Sequence, residues 1–112
     1  MTINTLELRR IFGKRYPEKQ LQRFFKYHED NPSIYRTFVQ MAKEMRMTGR
    51  TRYSSRSLFE VMRWHHDLTT TGDWYKVNNT FISMYSRLAM AEHEELNDFF
   101  SIRSWGENRD VS

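Results

Sequence analysis

The stretch YKVNNTFISMYSRLAM, residues 75–90, begins with three residues typical of a β-strand. Two asparagines follow, and after them the sequence has the pattern of a helix. Apolar residues then recur at the three- and four-residue steps of one helix face. These inward positions are Phe81, Ile82, Tyr85, Leu88 and Ala89. The positions left over are Thr80, Ser83, Ser86, Arg87 and Met90. The functional question is whether that remaining face enters a nucleic-acid groove or is the ordinary wet side of a packed helix.

Four further helices precede this one, and their boundaries carry recognisable signals. The patterns predict helices near residues 5–13, 17–30, 33–47 and 54–70. Pro17 suits a first helical turn, Asn31 before Pro32 breaks a helix, and Gly49 suits the left-handed position after a helix end. Serines before Leu58 can cap the fourth helix, and either Asn78 or Asn79 can cap the fifth.

The core is expected on the apolar stripes of these helices. The second helix contributes Leu21, Phe24, Phe25 and His28; the third Ile34, Tyr35, Phe38, Met41, Ala42 and Met45; the fourth Leu58, Val61, Met62, His65 and Leu68. A last turn is expected to dock Leu96, Phe99, Phe100 and Trp105.

Two short segments have the composition of strands. RTRYS, residues 50–54, and WYKV, residues 74–77, are expected to pair across the intervening helix. The predicted fold is therefore mainly α, with about five helices and a small two-stranded β ribbon. Residues 55–69 could brace the helix after Asn79 in a helix-turn-helix-like core. One domain spans 1–112, divided into a basic N-terminal helical extension (1–23), a core (24–103) and a loose tail (104–112).

The amino-acid composition excludes several classes of protein and of functional site. Hydrophobic residues make up 38% of the 112 residues, and the chain holds eight Phe, seven Met and no Cys. The absence of cysteine excludes disulfides, a thiol nucleophile and Cys-ligated zinc. No apolar run is long enough to span a bilayer, and the N-terminus lacks a signal-peptide pattern. A cytoplasmic protein without a membrane partner is expected.

The charge is distributed unevenly. Net charge is +4, but residues 1–53 hold twelve Lys/Arg against five Asp/Glu, or +7, and residues 54–112 hold six against nine, or −3. Such an asymmetry favours an acidic or polyanionic partner for the first half of the chain. A merely solvated basic surface is the alternative.

Signals for catalysis, cofactors and metals are weak. The chain has four glycines, with no glycine-rich phosphate loop and no serine in a nucleophile elbow. Adjacent His65 and His66 would point about 100° apart on a helix and cannot easily share one ion. His65 is better interpreted as a partly buried, hydrogen-bonded histidine. A non-enzymatic protein without cofactor or metal is predicted.

The residues around the fifth helix suggest a more specific function, which is contact with nucleic acid. Short hydroxyls on the fifth helix would let its backbone approach a groove, where an arginine can contact guanine. Basic side chains before it could neutralise phosphates. The predicted contact residues are Arg50, Arg52, Lys76, Asn79, Ser83 and Arg87. The connection between the last two helices, however, exceeds the three to four residues of a typical helix-turn-helix, so these side chains could simply be a solvent-exposed face.

Residues 24–103 also resemble a family of small phage-borne and bacterial proteins. The shared pattern comprises an Asn-Pro-x-x-Tyr helix start, Gly-Arg, Glu-x-x-Arg-Trp, (Phe/Tyr)-Lys-x-Asn-Asn, Tyr-x-Arg-Leu and Phe-Phe-x-x-Arg. Here it is carried by Asn31, Pro32, Tyr35, Gly49, Arg50, Glu60, Arg63, Trp64, Tyr75, Lys76, Asn78, Asn79, Tyr85, Arg87, Leu88, Phe99, Phe100 and Arg103.

The resemblance implies a mobile-element origin, and with it the cytoplasm of a host cell. Small phage proteins often occupy a host machine, for example as an anti-CRISPR or other anti-defence inhibitor. Such a protein needs a stable scaffold and a complementary patch rather than a catalytic site. Nucleic-acid contact and inhibition of a host protein or ribonucleoprotein complex therefore remain two alternatives, and a homodimer is compatible with either.

Overall fold

The computed structural model describes residues 5–69 and 77–100, with side chains at all of these positions except 65–69. This part of the chain is helical, which confirms the predicted mainly α fold of about five helices. The helices are α1 (Thr5–Phe12), α2 (Glu18–Asp30), α3 (Pro32–Met47), α4 (Ser55–Thr69) and α5 (Asn79–Glu92), and a 3₁₀ turn follows at Glu94–Leu96. Within the described ranges, no helix has the length and apolar character needed to cross a membrane.

Several predictions fall on residues outside that description. They concern the strand residues 74–76 with Lys76, the docking of Trp105, the tail at 104–112, and the side chains of His65, His66 and Leu68.

Asn31 separates α2 from α3 and is buried. Its backbone N–H and its side-chain Nδ2 both donate to the carbonyl of Tyr27, each at 3.0 Å. Pro32 then begins α3, where its missing N–H has no intrahelical partner to lose. The predicted break at Asn31-Pro32 is confirmed, and it consists of a single residue shared by the two helix ends.

Short polar residues and one glycine set the other boundaries. Ser54 Oγ accepts from the Ser57 N–H at 3.1 Å and caps α4, whereas Asn78 Oδ1 accepts from the Phe81 N–H at 2.8 Å and caps α5. Gly49 follows α3 with a φ of +101°. In this positive-φ region any residue with a side chain would be strained, so glycine is favoured. These predicted helix boundaries are confirmed. The sequence could predict them because each depends only on neighbouring residues.

The predicted β ribbon is wrong for the residues that the structure describes. Residues 50–54 form a bend and coil, and Val77 is likewise not in a strand. The Tyr53 N–H donates to the Phe99 carbonyl at 3.0 Å, and Arg46 Nη1 donates to the Arg50 carbonyl at 3.2 Å. The C-terminal segment and a helix side chain therefore occupy backbone groups that strand pairing would have used.

Tyr85 of α5 lies at the centre of the core and is fully buried. Its ring is 4.8 Å from the Phe24 ring of α2 and 5.5 Å from that of His28, measured between centroids. The Tyr35 ring of α3 stacks on it at 5.7 Å, and the Phe59 ring of α4 lies at 6.0 Å. Side chains from three other helices thus meet on one residue of α5.

The first helix is part of this same core. α1 packs against α5, and Leu8, Phe12 and Tyr16 are all buried. The Phe12 ring makes edge contacts at 5.5 Å with Phe24 of α2. The segment predicted as an N-terminal extension therefore contributes buried aromatic surface to the common core.

Most predicted inward residues are buried, including those after α5. Leu96, Phe99 and Phe100 are buried, and the Phe100 ring stacks on Phe38 at 5.1 Å. Among the predicted inward residues whose side chains are described, Tyr35, Met41 and Met45 are half-buried, and Val61 is 38% exposed. Leu58, Phe59 and Met62 already fill the buried side of α4, and Val61 points away from them.

Truncating Phe12 should destabilise the whole protein. Phe12→Ala is expected to lower the free energy of unfolding by about 3–5 kcal/mol, because it opens a cavity between α1, α2 and α5. Leu6→Ala on the same helix, where the side chain is 77% exposed, is the control and should change it by less than about 0.5 kcal/mol. Urea unfolding measures both. If α1 does not belong to the core, the two variants will behave alike.

Candidate nucleic-acid interface

Of the positions that the apolar pattern leaves over on α5, Ser86 is buried, and Thr80, Ser83, Arg87 and Met90 are half-buried. Ser86 is 0% exposed and its hydroxyl donates to the Ile82 carbonyl at 2.7 Å. A buried serine can be satisfied in this way by the carbonyl one turn earlier. The expectation that Ser86 belongs to a solvent-facing or groove-facing side is wrong, because the elements packed against α5, among them α1 and α4, leave it buried.

Ser83 and Arg87 are brought together by a third residue, Tyr16, in the connection between α1 and α2. The Tyr16 and Ser83 hydroxyl oxygens lie 2.6 Å apart, and Arg87 Nε donates to the Tyr16 oxygen at 3.1 Å. Tyr16 is buried, and the other two side chains are half-buried. These contacts hold two of the predicted site residues against the α1–α2 connection.

Tyr16 was missed by sequence reasoning. The signal available was an aromatic residue between Gly13 and Pro17, in a connection that is otherwise basic. That signal predicts burial but does not predict which polar groups the hydroxyl meets. The partners are 67 and 71 residues away in sequence.

Asn79 is exposed at the start of α5. Two residues before it, the Val77 carbonyl accepts a hydrogen bond from Arg63 Nη2 of α4 at 2.8 Å. Arg63 also lies 3.6 Å from a carboxylate oxygen of Glu60. Asn79 therefore sits at a fixed helix end, and Lys76, predicted to act beside it, lies outside the described residues.

Arg50 and Arg52 belong to an exposed basic cluster that runs from the last turn of α3 to the first turn of α4. We call it the arginine connection and define it as Arg46, Arg50, Arg52 and Arg56, all exposed. Residues 45–59 contain these four arginines and no Asp or Glu. A 15-residue span of this kind concentrates positive charge at one place on the surface.

A turn, a helix cap and a backbone hydrogen bond fix the conformation of the arginine connection. Gly49 turns the chain after α3, Ser54 caps α4, and the Tyr53 N–H is bonded to Phe99. The Arg50 guanidinium carbon lies 5.5 Å from the centroid of the Tyr53 ring, within the range of a cation–π contact. The first turn of α4 has no acidic residue, so the positive end of the helix dipole adds to the local potential.

Several basic residues outside the arginine connection lie beside carboxylates. Arg9 is 2.7 Å from Glu18, Lys26 is 3.2 Å from Asp30, and Lys43 is 3.3 Å from Glu95. Hydrogen bonds from Arg9, and then from Gln22, lower the pKa of Glu18 to about 2. Part of the positive charge of residues 1–53 therefore lies beside carboxylates, whereas residues 45–59 contain no Asp or Glu.

The buried polar group His28 belongs to the core. It is 9% exposed, stacks on Phe24 at 5.6 Å and has its Nδ1 3.5 Å from the Tyr85 hydroxyl. Burial lowers the pKa of His28, although the charge of Glu92 opposes that shift. Among the residues with described positions, no group of three or more His, Cys, Asp or Glu could hold a metal ion.

Comparison of the chain with protein-family models, with curated proteins and with solved structures finds no match. The resemblance to small phage-borne and bacterial proteins therefore stays a prediction.

Removing the Tyr16 hydroxyl should uncouple α5 from the α1–α2 connection. Tyr16→Phe is expected to lower the free energy of unfolding by about 1 kcal/mol, because Ser83 and Arg87 lose a partner in a half-buried site. Ser83→Ala should cost less in the Tyr16→Phe background than in the native one, which a double-mutant cycle measures. Strictly additive effects would show that the two hydroxyls do not interact.

Proposed function

We propose that this protein is a non-enzymatic binding module of mobile-element type that contacts nucleic acid through the arginine connection. The observation that carries the proposal is the exposure of four arginines on a 15-residue span that has no acidic residue. A host-cell cytoplasm, where nucleic acid is accessible, is the compartment that this role requires.

The chemistry of arginine supports a phosphate ligand. A guanidinium stays charged at all relevant pH values and can present two parallel N–H donors to one phosphate. Contacts of this kind release counterions from the nucleic acid, and that release dominates affinity at low salt. Because caps and a backbone bond fix the connection, it would not have to be ordered on binding.

In this proposal Arg50 and Arg52 keep their predicted role and gain Arg46 and Arg56 as neighbours. Ser83 and Arg87 are assigned to packing through Tyr16, and α5 to support rather than to reading base edges. A helix-turn-helix would instead need α5 exposed and joined closely to α4. Here α1 packs on α5, and nine residues, 70–78, separate the two helices.

Inhibition of a host machine by protein–protein binding is the second candidate. Large apolar side chains are unusually exposed at Trp64 (66%) and Met47 (84%). Tryptophan is enriched among the residues that dominate binding energy at protein interfaces. An anti-CRISPR or other anti-defence role would predict one stoichiometric host partner whose recovery depends on Trp64 and survives loss of Arg50 and Arg52.

Neutralising two arginines tests the first candidate. Arg50→Gln with Arg52→Gln should weaken binding to a labelled random-sequence oligonucleotide and reduce the slope of log K against log salt by about two. Fluorescence anisotropy at several salt concentrations measures both effects. Glutamine keeps much of the side-chain length and removes the charge.

The matched control is Arg23→Gln with Arg36→Gln. Both of these arginines are exposed, on α2 and on the first turns of α3, and the net charge of the double variant is the same. It should leave the affinity nearly unchanged. Equal losses in the two double variants would show that only net charge matters, and absence of binding by the native protein at micromolar concentration would contradict the proposal.

A further inference from the structure

The exposed face of α4 carries an aromatic side chain beyond the arginine connection. Trp64 is 66% exposed and Val61 is 38% exposed. The opposite side of the same helix is buried at Leu58, Phe59 and Met62. Exposed tryptophan presents a large apolar surface to water. The described packing of α4 does not require that surface.

Helix geometry places this tryptophan on the same side of α4 as the last arginine of the connection. At about 100° and 1.5 Å per residue, Trp64 lies roughly 80° around the helix and 12 Å along it from Arg56. Ser57 and Val61 flank Trp64 on one side, and Glu60 lies between it and Arg56 on the other; all of these positions are exposed. One face thus presents a cation at its beginning and an aromatic ring two turns later.

We propose that the arginine connection and this face of α4 form one track for single-stranded nucleic acid, with Arg56 on a phosphate and Trp64 stacked on an unpaired base. The inference rests on the proposed function and specifies its ligand. A base in a duplex has both of its faces covered by neighbouring base pairs, so an exposed indole can stack only where a strand is unpaired.

The charges along the track are compatible with a polyanion. Among the side chains that the structure describes on this face, Glu60 is the acidic one, and Arg63, one turn further on, lies 3.6 Å from its carboxylate. Arg63 is held in place by its bond to the Val77 carbonyl. The carboxylate is thereby balanced locally, and the positive charge of Arg46, Arg50, Arg52 and Arg56 sets the sign of the surface. That sign is also what favours nucleic acid over an uncharged apolar partner.

The experiment compares two probes and two tryptophan variants of the full chain. The probes are a labelled mixed-sequence single strand and the duplex formed with its complement, both followed by anisotropy at one salt concentration. Trp64→Ala should weaken single-strand binding by roughly 5- to 100-fold, the range for loss of one stacked base, and should change duplex binding by less than about twofold. Trp64→Phe should recover most of the single-strand affinity.

The outcomes separate the two proposals. If Arg50→Gln with Arg52→Gln weakens binding and Trp64→Ala does not, the stacking inference is overturned and the proposed function stands. If Trp64→Ala weakens both probes equally, the inference is also overturned. If the native protein binds neither probe but binds a polyglutamate peptide through Trp64, the partner is an acidic protein and both proposals fail. Thermal unfolding of each variant verifies that it is folded.

Discussion

The structure depends on the burial of Tyr85, whose ring is contacted by rings from α2, α3 and α4 while α1 packs along the same helix. A helix covered on so many sides has little surface left for a ligand. Its polar side chains have to find partners within the protein, since an unsatisfied buried polar group costs about 1–3 kcal/mol. Ser86 is satisfied by its own helix, and Ser83 and Arg87 are held by Tyr16.

Because α5 is largely covered, the exposed side chains able to bind a ligand lie in other parts of the chain. The arginine connection lies between two helices that are anchored in the core, and α4 turns its outer side to solvent. Both are rigidly supported, because Phe59 of α4 stacks on Phe38 of α3 at 4.6 Å and Tyr53 is bonded to the C-terminal segment. A binding surface built on them loses little conformational entropy when a ligand arrives.

Much of the fold could be predicted from the sequence because its determinants are local. The Asn31-Pro32 break, Gly49 and the Asn78 cap act within a few residues, and the apolar stripe of α3 repeats at helical spacing. The ribbon and the accessibility of α5 could not be predicted, because both depend on distant partners. Residues 50–54 have strand-like composition, but the Phe99 carbonyl determines their pairing. Of the predicted site residues that the structure describes, Arg50, Arg52 and Asn79 are exposed, and Ser83 and Arg87 are half-buried.

The most direct measurement of the central claim is a map of backbone amide shifts by NMR during titration of the protein with a single-stranded oligonucleotide. If the proposed function is right, the ligand lies on the arginine connection and away from the buried helix α5. The largest shift changes should therefore fall within residues 46–64, with residues 81–90 nearly unchanged. Changes centred on residues 79–87, with residues 46–57 unaffected, would show that α5 is the binding surface and would contradict the account.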